Sequence, residues 1–298
     1  MAQAPRLHDP GAFSGKNRAP GVSPWHHQSV PFPPLKSALH ALALYVAAGI
    51  AAFGWACCAL VGWDARPWMP LWFAGALLIY NIDRLRPDPA DRINLPARTA
   101  TVESLRPVAA TLAALAAAVL LALPLVRRDW LTFAMVIVAT IACLNYSIPM
   151  FGVRLKDVPL LKTFLAPGAV VAAIFIPPWL REGASAHAFP ALAWAWCFLV
   201  FNVIVCDARD IVGDGACGTS TLPSLLGEKR TRFVLAALMV ITTALALSNW
   251  PLLAALGAAM LTIIFLASRT RRSEPFYEWL VEGMMFLPAL VVAIVPHF

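Results

Sequence analysis

Nine apolar stretches, each 16–26 residues long, follow one another through the chain at roughly 37–62, 67–82, 107–126, 130–148, 163–180, 189–206, 231–248, 250–267 and 276–296. A bilayer core about 30 Å thick needs roughly 20 apolar residues per helical span. The repeat of such stretches, joined by short loops, predicts an all-α fold: a polytopic membrane helix bundle of about nine transmembrane helices. Several stretches contain or end on proline (Pro124, Pro149, Pro167, Pro177, Pro178, Pro288), which membrane bundles tolerate. The ten-residue alternating segments of a β-barrel are absent. Composition agrees: 60% of the 298 residues are hydrophobic, 13% are charged, and the mean hydropathy is +0.72. Soluble domains carry roughly 25% charged residues. A soluble enzyme, a disordered chain and a disulfide-stapled secreted domain are excluded.

The charges orient the spans. Net charge is +7, but the basic residues sit between apolar runs, so positive-inside topology explains them and nucleic-acid binding is not expected. With a cytoplasmic N-terminus, 19 of the 23 Lys and Arg fall in cytoplasmic segments; Arg66, Arg127, Arg128 and Arg181 fall outside. An odd number of spans then leaves the C-terminus outside. The expected location is integral to the membrane, the inner or plasma membrane if the source is bacterial. Trp63, Trp68, Trp130, Trp179 and Trp250 fall at the outer loops, as an interfacial aromatic belt would. Residues 1–35 hold seven prolines and no sustained apolar run. They read as a mobile, Pro-rich cytoplasmic tail, and residues 36–298 as the membrane domain. The six cysteines show neither CxxC pairs nor zinc spacing and read as small hydrophobes.

Two cytoplasmic loops carry more acid than a connector needs. In Asp207-Ala-Arg-Asp210-Ile-Val-Gly-Asp214 the three aspartates are spaced i, i+3, i+7, on one helix face. Carboxylates stacked this way repel and call for a cation. Mg²⁺ fits, since it takes a few carboxylates and completes its shell with water and phosphate oxygens. The competing reading is a solvated acidic helix end. The other loop, Asp83-Arg84-Leu-Arg86-Pro87-Asp88-Pro89-Ala-Asp91-Arg92, is broken by its prolines. Its carboxylates either converge on a second cation or pair with the neighbouring arginines. Arg154, Lys156 and Lys162, in a third cytoplasmic stretch, add cations suited to a diphosphate leaving group.

These motifs together resemble the UbiA-type superfamily of integral-membrane prenyltransferases. The resemblance is carried by Asp207–Asp214 followed by Gly218 and Thr221-Leu222-Pro223, by Asp91-Arg92-Ile93-Asn94-Leu95-Pro96-Ala97-Arg98, by Asn145-Tyr146-Ser147, and by Arg154-Leu155-Lys156. It covers roughly residues 37–298 and implies the nine-helix fold. It also implies Mg²⁺-dependent transfer of an isoprenyl group from an isoprenyl diphosphate to an aromatic or lipid acceptor within the membrane. Asp207, Asp210, Asp214 and Lys156 would be catalytic. Asp83, Asp88, Asp91, Arg92, Asn145, Tyr146, Arg154 and Lys162 would bind substrate, and Asp83, Asp91, Asp207, Asp210 and Asp214 would hold metal. The aromatic rings of Trp194, Trp196, Phe198 and Phe201 are candidates to face an allylic cation.

The first motif departs from the family pattern Asn-Asp-x-x-Asp-x-x-x-Asp. Counted back from Asp91, its positions hold Asp83, Arg84, Pro87 and Asp91. Either Asp83 and Asp88 substitute along a different loop path, or the first metal site is weakened. That leaves two alternatives to transfer: a membrane terpene cyclase of the same fold, and a non-catalytic homologue. A transporter is disfavoured, because the acids cluster at one face rather than near the midplane.

Overall fold

The computed structural model describes residues 33–86, 88–149, 152, 154–270 and 272–295. All but the last three residues of the Pro-rich tail lie outside that range. The described residues are 83% helical, with no strand among them. The helices are α1 (Leu35–Ala41), α2 (Leu44–Val61), α3 (Met69–Leu85), α4 (Pro89–Asn94), α5 (Pro96–Ser104), α6 (Arg106–Val126) and α7 (Trp130–Ser147), then α8 (Leu161–Glu182), α9 (Ala188–Ala216), α10 (Leu222–Leu247), α11 (Pro251–Ala267) and α12 (Phe286–Ile294). A single 3₁₀ turn, Leu155–Asp157, precedes α8, and α12 is entered through a π-wound turn (Phe276–Val281) and a 3₁₀ turn (Glu282–Met285).

Each expected apolar stretch is helical, the first divided between α1 and α2 and the last between two short turns and α12. Among the described residues six helical segments are long and apolar enough to cross a membrane, the last being Phe276–Ile294, and α7 and α11 are shorter apolar helices. The chain is an integral membrane protein built as a helical bundle.

Proline shapes the starts of these helices. Pro70, Pro89, Pro96, Pro107, Pro223 and Pro251 each occupy the first or second position of a helix. There the missing N–H costs nothing and the fixed φ favours the turn.

The bundle has an inside and an outside. In α2 and α9 the apolar window is 67% and 61% buried, against 28% in α6 and α10. The first two are therefore central and the others lipid-facing. Phe53 of α2 stacks on Trp194 and Phe198 of α9 at 5.7 and 5.6 Å, and all three rings are buried. With Phe201, also buried, these rings form the core rather than facing a chamber. Trp196 is half-buried and stacks on Phe164 of α8. Polar contacts lock the packing where no hydrophobic drive operates between helices. The Trp72 indole donates to the Ala173 carbonyl (2.9 Å), and the Asn202 amide to the Val281 carbonyl (2.6 Å). The outer tryptophans divide: Trp130 and Trp179 are exposed, as a belt requires, whereas Trp63, Trp68 and Trp250 are buried in the bundle's end.

Candidate functional site

The acidic residues gather where α3, α4, α8 and α9 meet the loops of one end. Helix α9 does not stop where its apolar run does. It continues through the acidic motif to Ala216, which makes the i, i+7 pair a real pair. Asp207 and Asp214 turn to the same point, and Lys162 fills it: its Nζ lies 3.3 Å from Asp207 and 2.8 Å from Asp214. Thr163 also donates its hydroxyl to Asp207 at 2.8 Å. Asp207 is 2% exposed and Asp214 4%. Leaving two such carboxylates without a cation would cost several kcal/mol, about 3–5 for a broken buried pair.

Asp210 behaves differently. By spacing alone Arg209 points away from the acidic face, but its guanidinium folds back onto the next residue. Nε and Nη2 donate to the two Asp210 carboxylate oxygens at 2.7 and 2.8 Å. Arg209 is itself buried and lies over the Tyr277 ring at 4.9 Å.

The first acidic loop forms a second cluster. Lys156, on the 3₁₀ turn, lies 3.1 Å from Asp83 and 3.3 Å from Asp88. Arg154 adds a contact to Asp88 at 3.3 Å. Asp88 is the N-cap of α4 and accepts from the Ala90 amide. Burial works to raise the Asp88 carboxyl, but the Ala90 amide and the two cations outweigh it and hold it below the usual carboxylate range. Burial likewise opposes the Lys156 ammonium, and the Asp83 and Asp88 carboxylates overcome it, so Lys156 is held above the usual lysine value. Asp91 is half-buried; that burial pushes its carboxyl up. It lines a cavity of about 20 Å³ together with Arg84, Arg98 and Arg106.

A clasp joins the two clusters. The Asn94 side chain closes on α9 from both sides: its amide donates to the Asp210 carbonyl at 3.0 Å, and its oxygen accepts from the Gly213 N–H at 2.9 Å. A Cβ at Gly213 would fall 2.6 Å from the Ala90 carbonyl oxygen and into the Asn94 amide. Glycine is what lets α4 lie this close to α9.

The structure thus brings together Asp83, Asp88, Arg154 and Lys156 on one side and Lys162, Asp207 and Asp214 on the other. Asn145 and Tyr146 occupy the last turn of α7, which packs against the 3₁₀ turn and α8. Arg92 is not brought in; it is exposed and paired with Glu103 at 3.1 Å. Thr163, Asn94, Gly213 and Arg209 belong to the site's architecture, though sequence spacing did not single them out. Asn94 stood inside a quoted motif, but its partners lie more than a hundred residues away.

Arg84 also departs from its motif position. Its guanidinium donates to the His40 carbonyl. It belongs to a half-buried group in which Glu282 faces the buried His40 at 3.6 Å and Arg98 at 4.0 Å. Among the described residues no group of three or more His, Cys, Asp or Glu is gathered as a metal cage. The donor set that fits a hard divalent cation is the Asp207–Asp214 pair, which already converges on one positive charge. Mg²⁺ is usually held by one or two carboxylates, with phosphate and water completing its shell.

Comparison with known proteins identifies the family. The model of the UbiA prenyltransferase family matches residues 82–287, which span both acidic clusters and the lysines between them. A digeranylgeranylglyceryl phosphate synthase of Natronomonas pharaonis is 32% identical over 159 residues, covering 51% of this chain and 53% of that protein. The chain therefore aligns with about half the length of this curated relative. No solved structure matches the chain. With the family match covering more than two-thirds of its length, and both acidic motifs inside it, the chain belongs to the UbiA prenyltransferase family.

Proposed function

We propose that this protein transfers an isoprenyl group from an isoprenyl diphosphate to a lipid or aromatic acceptor within the membrane, with Mg²⁺ as cofactor. The observation that carries this reading is the pair of carboxylate clusters, drawn from distant parts of the chain, each bridged by a lysine at one end of an apolar bundle. Bound at Asp207 and Asp214, Mg²⁺ would supply charge to a diphosphate leaving group. Lys156, Arg154 and Lys162 neutralise the oxygens of the departing diphosphate as the allylic C–O bond breaks. The acceptor nucleophile then takes the allylic carbon and releases a proton. The packed helices around the clusters keep water from the cation. The relative's name, a digeranylgeranylglyceryl phosphate synthase, favours a lipid acceptor over an aromatic one and transfer over cyclisation. The acidic clusters face the cytoplasm in this reading, consistent with the distribution of Lys and Arg.

The test is Mg²⁺-dependent binding of a non-hydrolysable isoprenyl thiodiphosphate, followed by turnover with an added lipid acceptor. Asp207→Asn should abolish both while the protein remains monodisperse in detergent. Turnover at the wild-type rate in Asp207→Asn would overturn the assignment. Product formed equally well with no acceptor present would replace transfer by cyclisation.

A further inference from the structure

The two carboxylate clusters are not equivalent, and the difference bears on how the diphosphate is held. On the α9 side, Asp207 and Asp214 share a single ammonium, Lys162, while Asp210 is matched by Arg209. One negative charge is left over, and two buried carboxylates already point at one cation. On the α3–α4 side, Asp83 and Asp88 face two fixed cations, Lys156 and Arg154. No charge is left over between these four groups. Between Asp83 and Asp88 the loop also holds Arg84 and Pro87. Proline has no carboxylate, and the Arg84 guanidinium is engaged with His40 and the Glu282 group. Asp91 lines the arginine-rich cavity with Arg98 and Arg106.

A divalent ion placed between Asp83 and Asp88 would have to sit within a few ångströms of both an ammonium and a guanidinium. Like charges at that distance repel strongly in a partly buried site. The Lys156 side chain is 13% exposed, so moving it out to water is not a free alternative.

Resting on the function proposed above, we infer that the diphosphate site takes one divalent cation, held by Asp207 and Asp214, and that Lys156 stands in for a second cation on the Asp83–Asp88 side. Lys156 then contacts the diphosphate directly as a fixed counter-charge. Lys162, whose side chain is 22% exposed against 13% for Lys156, has the readier path to water and would yield the Asp207–Asp214 pair to the ion and turn to the diphosphate.

The experiment counts metal. Purified protein in detergent is titrated with Mn²⁺ in the presence of saturating isoprenyl thiodiphosphate, and bound Mn²⁺ per bound analogue is read by electron paramagnetic resonance. The wild type should give one ion per analogue, and the logarithm of analogue affinity should rise with the logarithm of Mg²⁺ concentration with a slope of about one. Asp207→Asn should lose the ion. Lys156→Met should bring the count toward two, because Asp83 loses its lysine and Asp88 is left with Arg154. Lys156→Arg keeps the charge and should stay at one ion, which separates the loss of a counter-charge from a folding defect. Two ions in the wild type would overturn the inference and leave the prenyltransferase reading standing. One ion retained in Asp207→Asn, or a count and affinity unchanged in Lys156→Met, would also overturn it. No analogue binding to well-folded wild type at any metal concentration would remove the diphosphate reading and this inference with it.

Discussion

Gly213 sits where two acidic motifs meet through backbone, and its side chain is a matter of ångströms. The Asn94 amide and the Ala90 carbonyl occupy the volume a Cβ would need. Gly213→Ala should force α4 off α9 and cost about 1–3 kcal/mol, the usual penalty of overpacking. The cost should appear as a lower melting temperature in detergent and as weakened diphosphate-analogue binding, since α4 carries Asp88 at its start. Asn94→Ala should do comparable harm for another reason, because it strands the buried Gly213 N–H at about 1–3 kcal/mol. Wild-type stability in both variants would show that the clasp is incidental. At this scale the sequence was readable where chemistry follows from local spacing. Asp207 and Asp214, seven apart on a helix, share a cation as i, i+7 geometry suggests. The Asn94–Gly213 pair was not readable, because it is a tertiary contact between residues 119 apart. The Arg209–Asp210 pair was not readable either, because spacing fixes the direction of a Cα–Cβ bond, while a long arginine can fold back to its neighbour.

Elements were more legible than residues, and their exceptions have physical causes. The nine apolar runs became helices because each must satisfy its backbone internally in a bilayer. The first run is broken at Ala43, whose φ of 59° is left-handed; α1 and α2 are separated there, and the break carries no proline or glycine to announce it. Gly227, at φ 72° and ψ 170°, interrupts α10, so the stretch before residue 231 is not one straight span. Helix α7 shows how a single cap sets a start. Asp129 accepts from the Thr132 amide and hydroxyl at 3.0 and 2.8 Å and pairs with Arg181 at 3.2 Å. Burial works against the Asp129 carboxylate, but those hydrogen bonds and arginines outweigh it, so its carboxyl is held below the ordinary value. A carboxyl lowered on folding stabilises above its unfolded pKa of about 3.9 and loses that contribution as pH falls through the folded value. Asp129→Ala should therefore cost about 1 kcal/mol at pH 7, as loss of an N-cap does. The same cost should hold at pH 6 and fade below about pH 4. Asp129→Asn, which can still cap, should recover most of it at pH 7. Melting temperatures across that range check both; a penalty that grew toward low pH would contradict the linkage.

The whole molecule poses the question of which way it sits. The fold alone does not orient it; the span order read from the sequence, with its Lys and Arg distribution, predicts that the loops carrying both acidic clusters face the cytoplasm. Placing the clusters in the cytoplasm would also put the diphosphate product of the proposed reaction on the side where the acidic loops open. The chain contains its own probe. Cys217 follows α9 directly, beside the Asp207–Asp214 cluster, and is exposed, while Cys57, Cys58 and Cys197 are buried in the bundle. With Cys143 and Cys206 replaced by serine, a membrane-impermeant maleimide applied to intact cells should leave Cys217 unmodified and should label it once the membrane is opened. A cysteine introduced at Arg66, in the loop on the opposite side, should show the reverse and react before lysis. Each half guards the other, since poor reactivity of Cys217 in intact cells means orientation only if the same cells label the Arg66→Cys variant. Labelling of Cys217 in intact cells with protection at position 66 would invert the topology and move the diphosphate site to the outer face. The basic residues beside the acids would then have to be explained by the site's own chemistry, with no contribution from the rule that orients membrane proteins.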